Sequence, residues 1–299
     1  MLHSENFSRV EAIEKIATVT VVFNPEDDAA DTINMLAGFG YLVIVISNGA
    51  SDKFFKSLTE SKNLVVRKNH ENIGLSLALN QGIELALSFE RTEGLVLFDQ
   101  DSKPAKELPL ALKQAFLAVK NLNPACVAPD LIDRKLSNSI KKASSSELYE
   151  CVKTVATSGS YISKNSMLAV GLMDERFFID GIDHEWCFRA SSMGFSIVNA
   201  HALKLTHDMG DSGFIFFGKY KPVHKSPIRH YYIVRNTILL ARTSYIPMMW
   251  RIREALKAIY RMPVYFLVSA SKYETLMLML LAIGHGFESR YGKLVRSTV

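Results

Sequence analysis

Along the first hundred residues, short unbroken apolar runs alternate with stretches in which apolar residues recur every three or four positions. Thr18-Val19-Thr20-Val21-Val22-Phe23 is a β-branched run closed by Asn24-Pro25, which reads as a strand and its turn. From Asp28 to Phe39, Ile33, Leu36 and Ala37 share a face and the acids cluster early, where a helix N-terminus favours them. Leu42-Val43-Ile44-Val45-Ile46 is a second strand, closed by Ser47-Asn48-Gly49, and Leu64-Val65-Val66-Arg67 a third. After Asn69–Gly74 a helix is expected to about Phe89, with Leu75, Ala78, Leu79, Ile83, Ala86 and Leu87 on one face. Leu95-Val96-Leu97-Phe98 then leads into Asp99. Strands alternating with helices predict a mostly parallel central sheet, and right-handed crossovers place the loops after Phe23, Ile46 and Phe98 on one rim.

Further on, residues 104–122 read as a helix, Ala125–Ala128 as a short strand, and the polar stretch Asp133–Glu147 as a mobile loop. Residues 150–210 read as mixed short strands and helices. From Ile228 the chain is helical in amphipathic blocks, none reaching the ~20 apolar residues that span a bilayer. Arg251, Arg253, Lys257 and Arg261 beside Met248, Met249, Trp250 and Tyr260 suit a helix lying among lipid headgroups. A helix packed on the core with a solvated basic face fits the same pattern equally well.

Composition is that of an ordinary globular chain, 48% hydrophobic and 22% charged, so disorder is not expected beyond the first ten residues or so. The net charge of +5 hides an asymmetry: residues from Lys219 onward carry +11, those before it −6. A basic C-terminal third points to an anionic partner there, whether lipid surface, phosphate-rich substrate or nucleic acid. Cys126, Cys151 and Cys187 form no C-x-x-C pair, and the first residues have no secretory-signal pattern, so a reducing, cytoplasmic location is the expectation.

Two acidic constellations carry candidate chemistry. Asp99-Gln100-Asp101-Ser102 follows a buried strand, at the strand ends where open α/β sheets bind ligands. Two carboxylates one residue apart suit a hard divalent cation such as Mg²⁺ or Mn²⁺, although a polar turn has the same composition. Asp180-Gly181-Ile182-Asp183-His184-Glu185-Trp186 places three acids at a helix start, where they either complement the dipole or present a general base to an acceptor hydroxyl.

These stretches together resemble family 2 inverting glycosyltransferases of the GT-A fold, in the rhamnosyltransferase-like branch that uses dTDP-L-rhamnose. The resemblance rests on V-F-N-P at Val22–Pro25, N-I-G-L-S-L-A-L-N-Q-G at Asn72–Gly82, and L-F-D-Q-D-S at Leu97–Ser102. It continues through T-S-G-S at Thr157–Ser160, F-F-I-D-G-I-D-H-E-W-C-F-R at Phe177–Arg189, H-D-M-G at His207–Gly210 and R-H-Y-Y-I-V-R-N at Arg229–Asn236. It implies an α/β, Rossmann-like catalytic domain over residues 1–240, with a nucleotide half at about 15–130 and an acceptor half at about 131–240. Residues 241–299 would form a helical, membrane-associating extension.

The resemblance also implies roles. Asp183 would be the catalytic base; Asp101, Asp99 and His207 would hold Mg²⁺ or Mn²⁺. Asn24, Ser47, Asn48, Asn72, Gly74, Asn80 and Asp99 would line the donor, with Arg235 and Asn236 at its diphosphate. Glu185, Trp186, Ser158 and Gly159 would meet the acceptor. The partners implied are a nucleotide-sugar donor, a lipid-linked oligosaccharide acceptor of O-antigen or capsule assembly, and the anionic inner face of the cytoplasmic membrane, with a homodimer also open. Relatives usually carry an aspartate where this chain has Ser47, which leaves a UDP-galactofuranose or UDP-galactose donor as the alternative.

Two other classes fit less well. A nucleotidyltransferase would need a Gly-rich basic loop after the first strand, where the chain reads Asn24-Pro25-Glu26-Asp27-Asp28. No nucleic-acid partner is expected, because the C-terminal Arg and Lys are interleaved with Met and Leu and form no reader motif.

Overall fold

The computed structural model describes residues 15–26, 28–133, 147–207, 212–216 and 219–295, with the backbone course alone at Asp133, 212–216 and 219–223. The expected loop over 134–146 and the Asp208–Gly210 part of the H-D-M-G motif lie outside the described residues. The first half follows the apolar pattern: β1 (Ile16–Val22), α1 (Ala29–Phe39), β2 (Leu42–Ser47), β3 (Leu64–Lys68), α3 (Leu75–Ser88) and β4 (Gly94–Asp99). A short helix that the pattern did not announce, α2 (Asp52–Ser57), is capped by Ser51, whose hydroxyl accepts from the Phe54 amide. The second half comprises α4 (Leu108–Ala118), β5 (Pro124–Asp133), β6 (Tyr149–Val152), β7 (Tyr161–Ser163), α5 (Lys164–Val170), α6 (Ile182–Ser192) and β8 (Ser196–His207). Beyond it come a hairpin of β9 (Ser212–Phe216) and β10 (Lys219–Val223), then α7 (Pro227–Ala241), α8 (Met248–Val268) and α9 (Lys272–Phe287).

Eight strands form one twisted sheet in the order β3-β2-β1-β4-β7-β5-β8-β6. β1 to β4 are mutually parallel, β5 and β8 run parallel to each other, and β7 and β6 are antiparallel to their neighbours. Strands β1 and β2 are buried along their whole length, which is why their sequences are continuous apolar runs. The expected string of short elements over 150–210 is corrected at β8, twelve residues long, whose Asn199, His201 and Lys204 disguise it as loop. β8 runs out of register with β5: Ala200 faces Pro129 but Lys204 faces Asp130, so His201-Ala202-Leu203 bulges. His201 fills the bulge, with Nδ1 3.0 Å from Asp130 Oδ1 and Nε2 3.0 Å from Glu150 Oε2.

Two apolar layers sandwich the sheet. One joins it to α3, α6 and Trp250 of α8; the other joins it to α1 and α4. A third cluster packs Tyr231, Tyr232 and Val234 of α7 against Tyr265 of α8 and Leu278, Met279 and Ala282 of α9. Of the two placements open to α8, Trp250 takes the core one, buried edge-on against Phe188 and His184. The opposite side of α8 exposes Met248, Met249, Ile252, Leu256, Ile259 and Tyr260. Among the described residues no helix is long and apolar enough to cross a membrane.

Candidate active site

The parallel strands carry Phe23, Ser47 and Asp99 to one rim, and three loops are stitched together there. Gln100 Oε1 accepts from the Phe23 amide at 2.8 Å, tying the exit of β1 to the acidic turn after β4. The Lys103 amide donates to the Thr206 carbonyl at 2.9 Å, clipping that turn to the end of β8. This bridge brings His207 to the carboxylates: Nδ1 lies 3.2 Å from Asp101 Oδ1 and Nε2 3.7 Å from Asp99 Oδ2. One ligand atom from each of the three falls within 4.8 Å of the others. The turn is held from below by Ser158, whose Oγ accepts from the Asp99 amide at 3.2 Å and lies 2.5 Å from Ser102 Oγ.

The donor set of two carboxylates and an imidazole fits a divalent cation. Both acidic side chains remain more than a third exposed, so their oxygens are open to a ligand. Although its oxygens stay partly open, the cleft walls around Asp99 withdraw enough solvent to push its carboxyl up to about 6, against the pull of His207, while Asp101 and Asp183 add like-charge repulsion and Arg229 opposes it. Crowded negative charge of this kind is what a bound cation relieves.

Asp183 stands in the first turn of α6, half-buried, its Oδ1 accepting from the His184 amide at 2.8 Å. The approach to it is sharply bent: Asp180 has φ 64° and Gly181 φ 85°. Its charge is felt by Asp99, so the helix start faces the acidic turn. Arg229 in the first turn of α7 is the cation of this rim; its Nη2 donates to Asp180 Oδ1 at 3.2 Å, and it too acts on Asp99.

On the nucleotide side, Asn48 is buried and fully engaged. Its Nδ2 donates to the Gly74 carbonyl at 2.9 Å and to Asn72 Oδ1 at 3.3 Å, while its Oδ1 accepts from Asn69. Asn72 Oδ1 in turn accepts from the Gly74 amide at 2.9 Å, and Asn24 sits at φ 44° where the first strand turns away. Gly74, at φ 94°, leaves no room for a side chain: a Cβ would stand 2.7 Å from the Phe178 ring and 2.9 Å from its carbonyl oxygen. Ser47 is buried with its hydroxyl accepting from the Ala50 amide at 3.1 Å and the Gly49 amide at 3.4 Å, so its lone pairs serve the turn and not an incoming base.

Seven further residues expected to touch substrate are interior. Asn80 pins α3 to the loop before α6, bonding both polar groups of Met173. Arg235, 1% exposed, bonds the Gly292 carbonyl at 2.7 Å and Asn236 Oδ1 at 2.9 Å, so it fastens the C-terminal segment instead of facing a diphosphate. Asn236 donates to the carbonyls of Ile179 and Asp180, supporting the bend before Asp183. Glu185 is clasped by Arg189 at 2.8 Å and by the Tyr245 hydroxyl, and Trp186 donates to the Gly171 carbonyl at 2.9 Å. The reason is helical geometry: at about 100° per residue, Glu185 lies about 200° around α6 from Asp183. Ser158 is likewise buried under the acidic turn, and Gly159, at φ 80°, packs against Leu205 and Pro129. Gln100 and Arg229 were not singled out from sequence; only their places in the D-Q-D-S and R-H-Y-Y stretches could have signalled them.

No family model matches the chain. A curated relative, the dTDP-rhamnosyl transferase RfbF of Shigella flexneri, is 29% identical over 291 residues, covering 93% of this chain and 97% of that protein. Among solved structures, Staphylococcus aureus TarS residues 1–349 with UDP-GlcNAc superposes with a TM-score of 0.56 at 15% identity, covering 93% of this chain and 82% of that one. GalNAc-T7 with UDP, GalNAc and Mn²⁺ gives 0.52 at 14% identity, over 77% of this chain and 48% of that one.

Proposed function

We infer that this chain, a glycosyltransferase of the GT-A fold, transfers L-rhamnose from dTDP-L-rhamnose to a hydroxyl of a polyprenyl-diphosphate-linked glycan in cell-surface polysaccharide assembly. The observation that carries the reading is the convergence of Asp99, Asp101 and His207 at the strand ends, facing the helix start that bears Asp183. The relative along almost the whole chain, a dTDP-rhamnosyl transferase, supports the donor.

In this reading Asp183 takes the proton of the acceptor hydroxyl, whose oxygen then forms a bond to the anomeric carbon. The bond from that carbon to the diphosphate oxygen breaks on the opposite face, dTDP keeps the electron pair, and the configuration inverts. Asp99, Asp101 and His207 would hold Mg²⁺ or Mn²⁺, which when bound offsets the charge developing on the leaving diphosphate. Arg229, and not the buried Arg235, supplies this chain's own cation on that side. Base recognition would fall to the backbone of the turns that Asn48 and Asn72 hold together, since the Ser47 lone pairs serve their own turn.

The exposed apolar face of α8, with Met248, Met249, Ile252, Leu256 and Ile259, would seat the enzyme on the inner leaflet beside its lipid-linked acceptor, while Arg253, Lys257 and Arg261 pair with Glu254 on the side nearer Trp250. Flotation with phosphatidylglycerol-containing vesicles that weakens with salt supports this; a concentration-dependent dimer with no vesicle binding assigns the face to a second copy. The donor is tested by calorimetry with dTDP, UDP and GDP, each with and without Mn²⁺, followed by transfer from the matching sugar nucleotide. Metal-dependent preference for dTDP is expected; preference for UDP moves the donor to a UDP-hexose such as UDP-galactose or UDP-galactofuranose.

A further inference from the structure

The acidic turn rests on two buried serines to which the transfer chemistry gives no task. Ser102 closes the turn: its amide donates to the Asp99 carbonyl at 3.1 Å, and its carbonyl accepts from Thr32 Oγ1 of α1 at 3.4 Å. Its side chain is 0% exposed. There Ser102 Oγ meets Ser158 Oγ at 2.5 Å, and Ser158, 1% exposed, also accepts from the Asp99 amide. On its other side Ser102 Oγ lies 3.5 Å from His207 Nδ1. A line of polar atoms therefore runs from the Asp99 backbone through two hydroxyls to the imidazole.

The direction of that line follows from which groups donate and which accept. The Asp101 carboxylate, 3.2 Å from Nδ1, can only accept, and Ser102 Oγ offers a second oxygen to the same nitrogen. Across the ring, Asp99 Oδ2 stands 3.7 Å from Nε2, beyond hydrogen-bond length. The neutral ring is thus best served by a proton on Nδ1, which turns the Nε2 lone pair toward Asp99. Ser102 then passes its own hydroxyl hydrogen to Ser158 Oγ.

We propose that Ser102, backed by Ser158, is a positioning residue for the cation site: it holds the His207 imidazole in the Nδ1–H form and so makes Nε2 the ligand atom. The inference rests on the metal-dependent reading above and adds what orients its third ligand. The bond made by the other ring nitrogen fixes the tautomer and orientation of a metal-binding histidine, and losing that partner costs about 10- to 100-fold in metal affinity.

The first test needs no variant. Long-range proton-to-nitrogen correlation spectra of the metal-free wild type, at a pH where the ring is neutral, are expected to show His207 protonated on Nδ1; a proton on Nε2 overturns the proposal. The second is a double-mutant cycle read by calorimetric Mn²⁺ binding in the presence of dTDP. Ser102→Ala cuts the line but leaves Ser158 to accept from the Asp99 amide, so the turn keeps that support. It is expected to weaken Mn²⁺ binding about ten-fold or more, and to add little when His207→Ala is already present, because the serine acts through that ring. An unchanged Mn²⁺ affinity, or an equal loss in both backgrounds, reduces Ser102 to packing of the turn and overturns the proposal. If the wild type binds Mn²⁺ neither alone nor with dTDP, the metal reading itself falls, and the role of Ser102 with it.

Discussion

The open cleft at the strand ends and the sealed polar network beneath α6 are both built around carboxylates, and they differ in what is left unsatisfied. Asp99, Asp101 and His207 sit more than 3 Å from one another with both carboxylates over a third exposed. Glu185, two residues after Asp183, is 1% exposed, and its oxygens are taken up by Arg189 and Tyr245. Arg189 spends its remaining donors on the carbonyls of Val170 and Leu172. An acid with both oxygens engaged in the interior holds a fold together; acids crowded against each other with open lone pairs are available for chemistry.

Substitutions can break that contrast. The largest effect is expected from Asp183→Asn, which removes the base without changing shape: transfer falls about 10²- to 10⁴-fold, while dTDP binding measured by calorimetry is unchanged. Glu185→Ala should do the reverse. It strands Arg189 in the interior and costs roughly 3 kcal/mol, read as a melting point several degrees lower, with the kcat of the folded fraction close to wild type. Next is Asp101→Ala, expected to lower Mn²⁺-supported dTDP affinity by at least about ten-fold, because the loss of a ligand costs no less than the loss of its supporting partner. The metal-free affinity should not change.

The smallest effect sharpens the comparison away from the cleft, at the β8 bulge. Burial alone would raise Asp130, but hydrogen bonds from Lys204, Asn199 and His201 hold its carboxyl down at about 2. Because the folded value lies below the ordinary 3.8, this stabilisation is complete above pH 4 or so and fades as pH falls toward 2. With screening at this partly exposed site, Asp130→Asn is expected to cost about 1–2 kcal/mol at neutral pH. The gap from wild type in denaturant titrations should narrow steadily as the pH is lowered from 4.

The sequence pattern was most informative where burial was most complete. β1, β2 and β4 lie inside the sheet with both faces covered, so their residues are apolar on both faces and their ends are sharp. The acidic turn after β4 was legible for the same reason, since its position follows from the strand before it. Side-chain direction on the helices was not. Arg235, expected at the diphosphate, and Arg229, which was not singled out, lie on one helix, and six residues turn the one about 240° away from the other. Only the packing of α9 and the C-terminal segment on α7 decides which of them is buried. The length of β8 was hidden too, because its bulge inserts polar residues that pair with Asp130 and Glu150 across the sheet.

A short seam joins the turn that opens α3 to the loop that leads into α6. The Leu75 amide donates to the Phe178 carbonyl at 2.6 Å, Ser76 bonds the Phe177 carbonyl, and bare Gly74 lets the Phe178 ring lie against the same turn. The loop that would embrace the nucleotide and the loop that delivers Asp183 thus share a backbone seam with no slack in it. Such a seam acts as a fixed caliper: the spacing between donor and base is set when the chain folds, and any side chain introduced at position 74 would widen the caliper before it touched either substrate.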